Sequence, residues 1–405
     1  MTAARSIHRR SAIRRVFVLA ATFLTLLLGA APCARAQNKK RHRVEVLDSG
    51  VTYQRDQVTG ELRIVTRSSP GEAAPSAEAA PSPAHAIQVV SQTARVTCSV
   101  FAADGTPIRG ITRDRFRVYD DGAERPITNF DDSSEPASVA LVIDASPSVL
   151  PDSSEMKEAA NALIEGLAPS DEVAVVDFSA HAYLQQDFTS VHELLRRAVE
   201  RIDVRELAAD TGGSNIYQSV YLTATKLFAN RPGRRGIILL TDGQDSGMGL
   251  SLNPSSTRPR GASDNRLTFD DLARLLAAED IQVFAVSTEN RPQILTAAWL
   301  AAHRDQTFIT ESDREEGIPA YTLFLAEIVR RSGGELYFLN EASSMAETFR
   351  RIAQRIGVEY TLGFVPYGAA EGPAKPGWHS LRLDVPDSPG VSIDYRGSYY
   401  IPAAR

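Results

Sequence analysis

Cysteine is almost missing from this 405-residue chain; only Cys33 and Cys98 occur. Cys33 falls in an N-terminal segment that reads as a removable signal, which leaves Cys98 alone, so no internal disulfide and no thiolate metal cluster can form. Cys98 alternates with Ala94, Val96 and Val100, the spacing of a half-buried strand thiol. Long apolar runs are also missing. The longest, at 16–31, has 16 residues, short of the roughly 20 that span a bilayer, and a multi-span membrane protein is excluded. Basic charge is not in excess either: 44 Lys and Arg stand against 50 Asp and Glu, a formal charge of −6. The first 36 residues hold six Arg and no acid, so the rest carries 38 basic against 50 acidic side chains. Such a chain has no general attraction for phosphate backbones or anionic lipid, whereas cationic partners or a bound metal ion suit it. A composition of 43% hydrophobic and 23% charged residues excludes wholesale disorder and collagen.

Signatures of catalysis are absent as well. There is no G-x-S-x-G, no P-loop, and no G-x-G-x-x-G at a strand-to-helix turn. His192-Glu193-Leu194-Leu195-Arg196 begins like a zinc-protease helix but ends in Arg where that motif needs His. The seven histidines are scattered, and His379 beside Trp378 reads as a packed strand residue.

What is present begins with an export signal. Arg5, Arg9, Arg10, Arg14 and Arg15 precede the apolar run 16–31, and Ala34-Arg35-Ala36 offers a cleavage site after Ala36. The expectation is a secreted or periplasmic protein with no membrane span after cleavage. Arg14-Arg15-Val16-Phe17 partly resembles a twin-arginine signal, but the strongly apolar core fits general secretion. Pro32 before Cys33 is a poor match to a lipoprotein acylation box.

The remainder divides by pattern. Residues 37–86 read as a basic segment and disordered linker: weak alternation (Val44, Val46; Leu62, Ile64) suggests a small hairpin, and 67–86 is Ser, Pro, Ala, Gly and Glu with almost nothing to bury. Residues 87–130 take period two, with turn signals at Asp104-Gly105 and Asp121-Gly122. From 138 to 357, continuous apolar runs at 139–143, 173–178, 237–240, 281–286 and 335–339 alternate with helical patterns near 155–167, 190–202, 215–229, 268–278, 320–331 and 345–356. That alternation predicts a doubly wound, mainly parallel α/β sheet. After Tyr360 the helical signal stops and strand alternation resumes to the end, over 358–405.

The first of these strands ends in Asp144-Ala145-Ser146-Pro147-Ser148. Ligands of open α/β sheets gather at the carboxyl ends of strands. One carboxylate and two hydroxyls there are hard oxygen donors suited to Mg²⁺, Mn²⁺ or Ca²⁺. Taken alone, an Asp and two Ser after a strand are usually a turn and helix cap. Two more pieces alter that balance. Thr211-Gly212-Gly213-Ser214-Asn215 places a hydroxyl at a helix start, and Thr241-Asp242-Gly243 places a second carboxylate at another strand end.

In order and placement these residues resemble the metal-ion-dependent adhesion site of the von Willebrand factor type A family, whose pattern is D-x-S-x-S, then Thr, then Asp. Asp144, Ser146 and Ser148 match the first part and Asp242 the last, while Ser214 stands where the family usually has Thr and keeps the hydroxyl. The flanks look like a group of secreted bacterial proteins with a type A-related domain. There a β segment similar to 112–130 precedes the domain, and a tail similar to 360–364, Gly377-Trp378-His379 and 396–400 follows. The resemblance implies a Rossmann-like domain that holds Mg²⁺ (or Mn²⁺ or Ca²⁺) through Asp144, Ser146, Ser148, Ser214 and Asp242. It further implies that an Asp or Glu of a partner protein completes the metal's shell, with no nucleic-acid partner.

A hydrolase using the same ion is the alternative, with Asp245 the nearest candidate base in sequence, and a scaffold with a structural metal is a third reading. An Asp-nucleophile phosphatase would want a second Asp where Ser146 stands. Two expectations concern architecture. The first strand of the sheet begins, and the last helix ends, at the edge opposite the metal, so the flanks 87–130 and 358–405 should fold together as one discontinuous β-sandwich. The stretches 246–266 and 288–319 leave strand ends beside the metal, and the second, with Trp299, His303 and Phe308, is expected to read the partner.

Overall fold

The runs 139–143, 173–178, 237–240 and 281–286 are apolar on both sides because each becomes an inner strand of one sheet covered on both faces. The computed structural model describes residues 44–49, 51–56, 62–66, 93–132, 136–203, 214–229, 231–245, 267–303, 318–339, 345–356, 360–366, 374–386 and 390–402. The expected export signal, the linker stretch 67–86, residues 211–213 and the stretch 246–266 lie outside these. In chain order the strands are β1 (Glu45–Val46), β2 (Val51–Arg55), β3 (Leu62–Thr66), β4 (Ala94–Phe101), β5 (Arg117–Asp120), β6 (Ala123–Arg125), β7 (Ile127–Asp131), β8 (Ser138–Asp144), β9 (Glu172–Phe178), β10 (Ala182–Thr189), β11 (Arg235–Thr241), β12 (Ile281–Ser287), β13 (Leu336–Phe338), β14 (Tyr360–Phe364), β15 (Gly377–Asp384), β16 (Ser392–Tyr395) and β17 (Ser398–Ile401). The helices are α1 (Ser153–Gly166), α2 (His192–Glu200), α3 (Ile216–Leu222), α4 (Phe269–Glu279), α5 (Ala297–Ala302), α6 (Ala320–Ser332) and α7 (Met345–Ile356).

Seven strands make the central sheet in the order β1-β10-β9-β8-β11-β12-β13. From β9 to β13 neighbours are parallel, in registers such as Leu141↔Val175 and Ile237↔Ala140. Side chains alternate between faces. Val139, Leu141 and Ile143 pack with Met156 and Leu163 of α1, Leu195 of α2 and Phe349 of α7. Ala140 and Val142 face the opposite way, toward Tyr217 of α3, Leu272 of α4 and Phe324 of α6. Each layer therefore receives alternate residues of every inner strand, the packing of a doubly wound sheet. Local signals set the helix ends. Thr268 and Asp271 form a capping box on α4, and α6 stops at Gly333 with φ +86. Gly334 passes so close to β12 that a Cβ there would lie 2.0 Å from the Val283 carbonyl oxygen.

Strands from both flanks interleave in two four-stranded antiparallel sheets, β16-β4-β14-β7 and β17-β15-β5-β6. Tyr360 of β14 pairs with Cys98 of β4, and Leu381 of β15 with Asp120 of β5. One apolar layer, including Val96, Cys98, Phe116, Val118, Leu362, Phe364, Leu383 and Ile401, lies between the sheets. Each flank supplies two strands to each sheet, so neither flank alone can complete either sheet and bury the layer. Asp121 and Gly122 both take positive φ (46° and 83°) in the two-residue link between β5 and β6, as a type I′ hairpin requires. Cys98 is fully buried rather than half-buried.

The sandwich is latched to the α/β domain by charge. Arg396 donates to the Ala277 carbonyl at 2.7 Å and pairs with Asp280 at 3.1 Å, and Thr97 donates to the other Asp280 oxygen at 2.7 Å. The Arg331 guanidinium lies 4.5 Å above the Trp378 ring.

The weak alternation that suggests a small hairpin corresponds to β2 and β3, and what the sequence did not indicate is that the described residues of 44–66 pack on the α/β domain. β1 pairs antiparallel with β10 at the sheet edge, Leu47 is buried in the core, and the β2–β3 hairpin lies over it with Val51, Tyr53 and Ile64. Arg55 grips Asp271 with two hydrogen bonds of 2.7 and 2.6 Å. Few of its side chains are apolar, so the sequence signal is weak; its attachment rests on backbone pairing, the buried Leu47, the packing of Val51, Tyr53 and Ile64, and the buried Arg55–Asp271 ion pair. β10 also lacks an apolar run, since its Gln185, Gln186 and Asp187 suit a strand near the sheet edge.

Candidate metal centre

β8 and β11 are adjacent and parallel, so Asp144 and Asp242, each at or just past a strand's carboxyl end, emerge side by side. The loop after β8 turns back at once, with the Ser146 amide donating to Asp144 Oδ1 at 2.9 Å. A 3₁₀ turn over Pro147–Asp152 then sets Ser148 Oγ 3.0 Å from Ser146 Oγ. Ser214 Oγ lies 3.5 Å from Asp144 Oδ2. Asn215 fixes that loop: its amide donates to the Ser179 carbonyl at 2.9 Å and its side chain to the Ala180 carbonyl at 2.7 Å. Asp144, Ser146, Ser214 and Asp242 are buried, at 2, 2, 4 and 4% exposure, whereas Ser148 is exposed at the mouth.

Gly243 carries φ +86, and a Cβ there would meet Leu325 Cδ1 at 2.8 Å. Glycine thus lets the Asp242 loop turn beneath α6. Asp242 Oδ1 accepts the Gln244 amide at 2.9 Å. Its Oδ2 is buried and has no hydrogen-bond partner among the described residues.

The electrostatics follow. Burial pushes Asp144 up to about 6, with the Asp242 charge adding to it, while hydrogen bonds from Ser146 and Thr241 pull the other way. The Tyr321 phenol is raised by burial and by the charges of Glu289 and Asp242, which puts another acid at the rim. Two buried carboxylates, one with an unmatched oxygen, and three hydroxyls form an all-oxygen donor set. It fits a hard divalent cation, which would supply the missing partner and relieve the mutual repulsion.

The structure brings Asp144, Ser146, Ser148 and Ser214 into direct or near hydrogen-bond contact and sets Asp242 beside them. Thr241 was not anticipated. Its hydroxyl donates to Asp144 Oδ2 at 2.6 Å and accepts the Gly243 amide at 3.0 Å, so it joins the two carboxylate loops. The signal was available: a hydroxyl ending an aliphatic strand immediately before Asp242. Asp245 accepts the Tyr217 amide of α3 at 3.1 Å and serves a helix start. Of the stretch 288–319, residues 288–303 and 318–319 are described, and there α5 turns Trp299 and Leu300 onto the core, with His303 stacked on Trp299 at 3.7 Å. These aromatics serve packing as well as any surface. Among the described residues, the large apolar side chains exposed on this edge are Leu150 (60%), just after Ser148, and Ile294 (38%).

Several known proteins are similar to this chain. A UPF0353 protein of Nocardia farcinica is 26% identical over 240 residues, 56% of this chain, and the chain spans 65% of that relative's length. Solved structures with similarity include a von Willebrand factor type A protein from Catenulispora acidiphila (16% identity, 78% of this chain and 75% of that one, TM-score 0.36). Another is an aerotolerance-related membrane protein from Bacteroides fragilis (17% identity, 54% and 98%, TM-score 0.37). A third is proximal thread matrix protein 1 of the mussel byssus with a zinc-occupied MIDAS motif (16% identity, 58% and 48%, TM-score 0.37). Residues 139–244, which run from β8 through Asp242, match the family model of the von Willebrand factor type A domain, and the chain carries a domain of that family.

Proposed function

We propose that this is an exported, divalent-metal-dependent protein-binding module. Asp144, Ser146, Ser148, Ser214 and Asp242 hold Mg²⁺, Mn²⁺ or Ca²⁺, and a partner protein presents an Asp or Glu side chain to it. A bound divalent cation supplies positive charge and open coordination positions that an incoming carboxylate can take. Ser148 stands at the mouth, where the partner arrives. Thr241 and the Ser146 amide keep Asp144 oriented, and Asn215 keeps Ser214 in reach. The observation that carries this reading is the buried, unmatched Asp242 oxygen beside a second buried carboxylate, a combination costly in the chain alone and relieved by a cation. Asp245, the nearest candidate base of the hydrolytic alternative, accepts the Tyr217 amide at the start of α3, which gives it a structural role there. Export rests on the N-terminal Arg cluster, apolar run and Ala34-Arg35-Ala36; among the described residues no helix is long and apolar enough to cross a membrane.

The test has two arms. Millimolar Mg²⁺ or Mn²⁺ should raise the melting temperature of the wild type but not of Asp144→Ala, since a ligand of the folded state stabilises by mass action. With the chain as bait, capture of a partner from exporting cells should be lost in chelator. No metal-dependent shift, or an equal shift in the variant, overturns the site. Metal-dependent turnover of phosphate or carboxyl esters would replace the binding reading with a hydrolytic one.

A further inference from the structure

Away from the metal loops, where α4 ends against the sandwich, a cleft of about 340 Å³ opens between the two domains. Its apolar wall comes from the tail of the chain, Tyr400, Ile401 and Pro402, together with Pro366. The facing wall is the last turn of α4, with Ala278 exposed on it. Three arginines, Arg95, Arg235 and Arg396, share the lining with two acids, Glu279 and Asp280.

Both acids are already engaged. Glu279 pairs with Arg235 at 3.3 Å. Asp280 pairs with Arg396 at 3.1 Å and accepts the Thr97 hydroxyl at 2.7 Å. One positive charge is left over on the wall of a strongly acidic chain. Arg95 supplies it: its side chain is exposed and makes no hydrogen bond or ion pair among the described residues. Two deeper donors also lack acceptors. The Nε of Arg235 and the Nε of Arg396 are buried with no hydrogen-bond partner among the described residues, and Arg396 itself is 4% exposed. A second cleft of about 310 Å³ shares Arg95, Arg235 and Asp280 with the first and adds Arg231 and Arg234, with Asp131 on its wall. Arg231 is paired with Glu172 at 2.5 Å.

Arginines that exceed their acids on one wall, with aromatic and proline surface on another, make an environment for an anion with an apolar body. We propose that this interdomain cleft binds an organic carboxylate, its oxygens taken by Arg95 and the Arg235–Arg396 wall and its apolar part laid against Tyr400, Ile401 and Pro402. The same chemistry could be presented by a free small acid or by the terminal carboxylate of a peptide. The site is separate from the metal centre and does not depend on the metal reading.

The test is a titration of the full chain, in chelator, followed by calorimetry and by saturation-transfer NMR. The probes are benzoate, its neutral analogue benzamide, inorganic phosphate, and acetyl-Ala-Ala-Phe as free acid and as amide. Benzoate should bind saturably, with benzamide and phosphate about tenfold weaker or worse, because each lacks one half of the recognition. Arg95→Gln should weaken benzoate about tenfold, and Ala278→Trp, which fills the cleft from its exposed helical wall, should abolish binding. Both altered side chains are exposed, so melting temperatures should match the wild type and any loss is local. A free-acid tripeptide that outbinds benzoate while its amide fails assigns the carboxylate to a peptide end; the reverse order assigns it to a small acid. Equal binding of benzoate and benzamide, no saturable benzoate binding, or indifference to both substitutions overturns the proposal.

Discussion

Replacing Asp144 by Asn should make the metal-free protein more stable while destroying its response to metal. Burial and Asp242 hold the Asp144 carboxyl at about 6, against an ordinary 3.8. The fold therefore keeps a proton that the open chain has already released. Stability is fully present below pH 3.8, is lost as pH rises toward 6, and stays reduced above it. The gap corresponds to about 3 kcal/mol at neutral pH. The amide removes that penalty, but its nitrogen faces Thr241 and Ser214, whose hydroxyls now donate to Asp144 Oδ2. The mismatch costs about 1 kcal/mol, which leaves the Asp144→Asn variant ahead by about 2 kcal/mol. Urea unfolding at 222 nm isolates the type A domain, since every described α-helix lies there. In chelator at pH 7.5 the variant should unfold at higher urea than wild type, and near pH 4 the order should vanish or reverse. At Mg²⁺ a hundredfold above Kd, wild type gains about 2.7 kcal/mol and the variant nothing, so the order inverts. A variant less stable than wild type in chelator at pH 7.5 would refute the reasoning, because the buried charge would then carry no penalty.

Three further outcomes are expected. Thr241→Val removes the 2.6 Å hydrogen bond to Asp144 and the acceptor of the Gly243 amide; calorimetry should show Mg²⁺ affinity about tenfold lower, and unchanged affinity would make Thr241 a bystander. Glu327 lies buried between Arg330 and Arg331 at 2.8 and 2.5 Å. Burial alone would raise its carboxyl, yet the two guanidiniums hold it low, so Glu327→Gln removes the buried negative charge that both guanidiniums face and should cost about 3–5 kcal/mol in urea. Arg55→Ala leaves Asp271 without its buried partner. Limited proteolysis should then cut within 44–66 while the metal-induced melting shift persists; protection equal to wild type would mean that the hairpin is held without this pair.

Much of the fold was legible because it depends on period. The apolar runs 139–143 and 237–240 could be buried on both faces only as inner strands, and the helical patterns between them fixed a parallel, doubly wound sheet. The helix expected at 345–356 runs Met345–Ile356, and the edge at which it ends is what led to the expectation that the two flanks share one sandwich, as the pairing of β14 with β4 shows. The convergence of the candidate metal ligands was legible for a similar reason, since residues at the carboxyl ends of adjacent parallel strands must meet. Thr241 escaped because a strand-terminal hydroxyl is ordinary until a carboxylate is seen beside it.

Sequence by itself determined the inner strands and the main helices, because periodicity and turn residues act over a few neighbours along the chain. It also determined that Asp144, Ser146, Ser148, Ser214 and Asp242 share one edge of the sheet. Only the tertiary structure decided that 44–66 closes the sheet rather than trailing from it, since Glu45↔Leu184 pairing and the Arg55–Asp271 ion pair join residues far apart in sequence. It alone decided that Asp242 would keep one oxygen unmatched and that Asp144 would be pushed toward 6. Burial and the approach of like charges are properties of the packed molecule, and no local pattern encodes them.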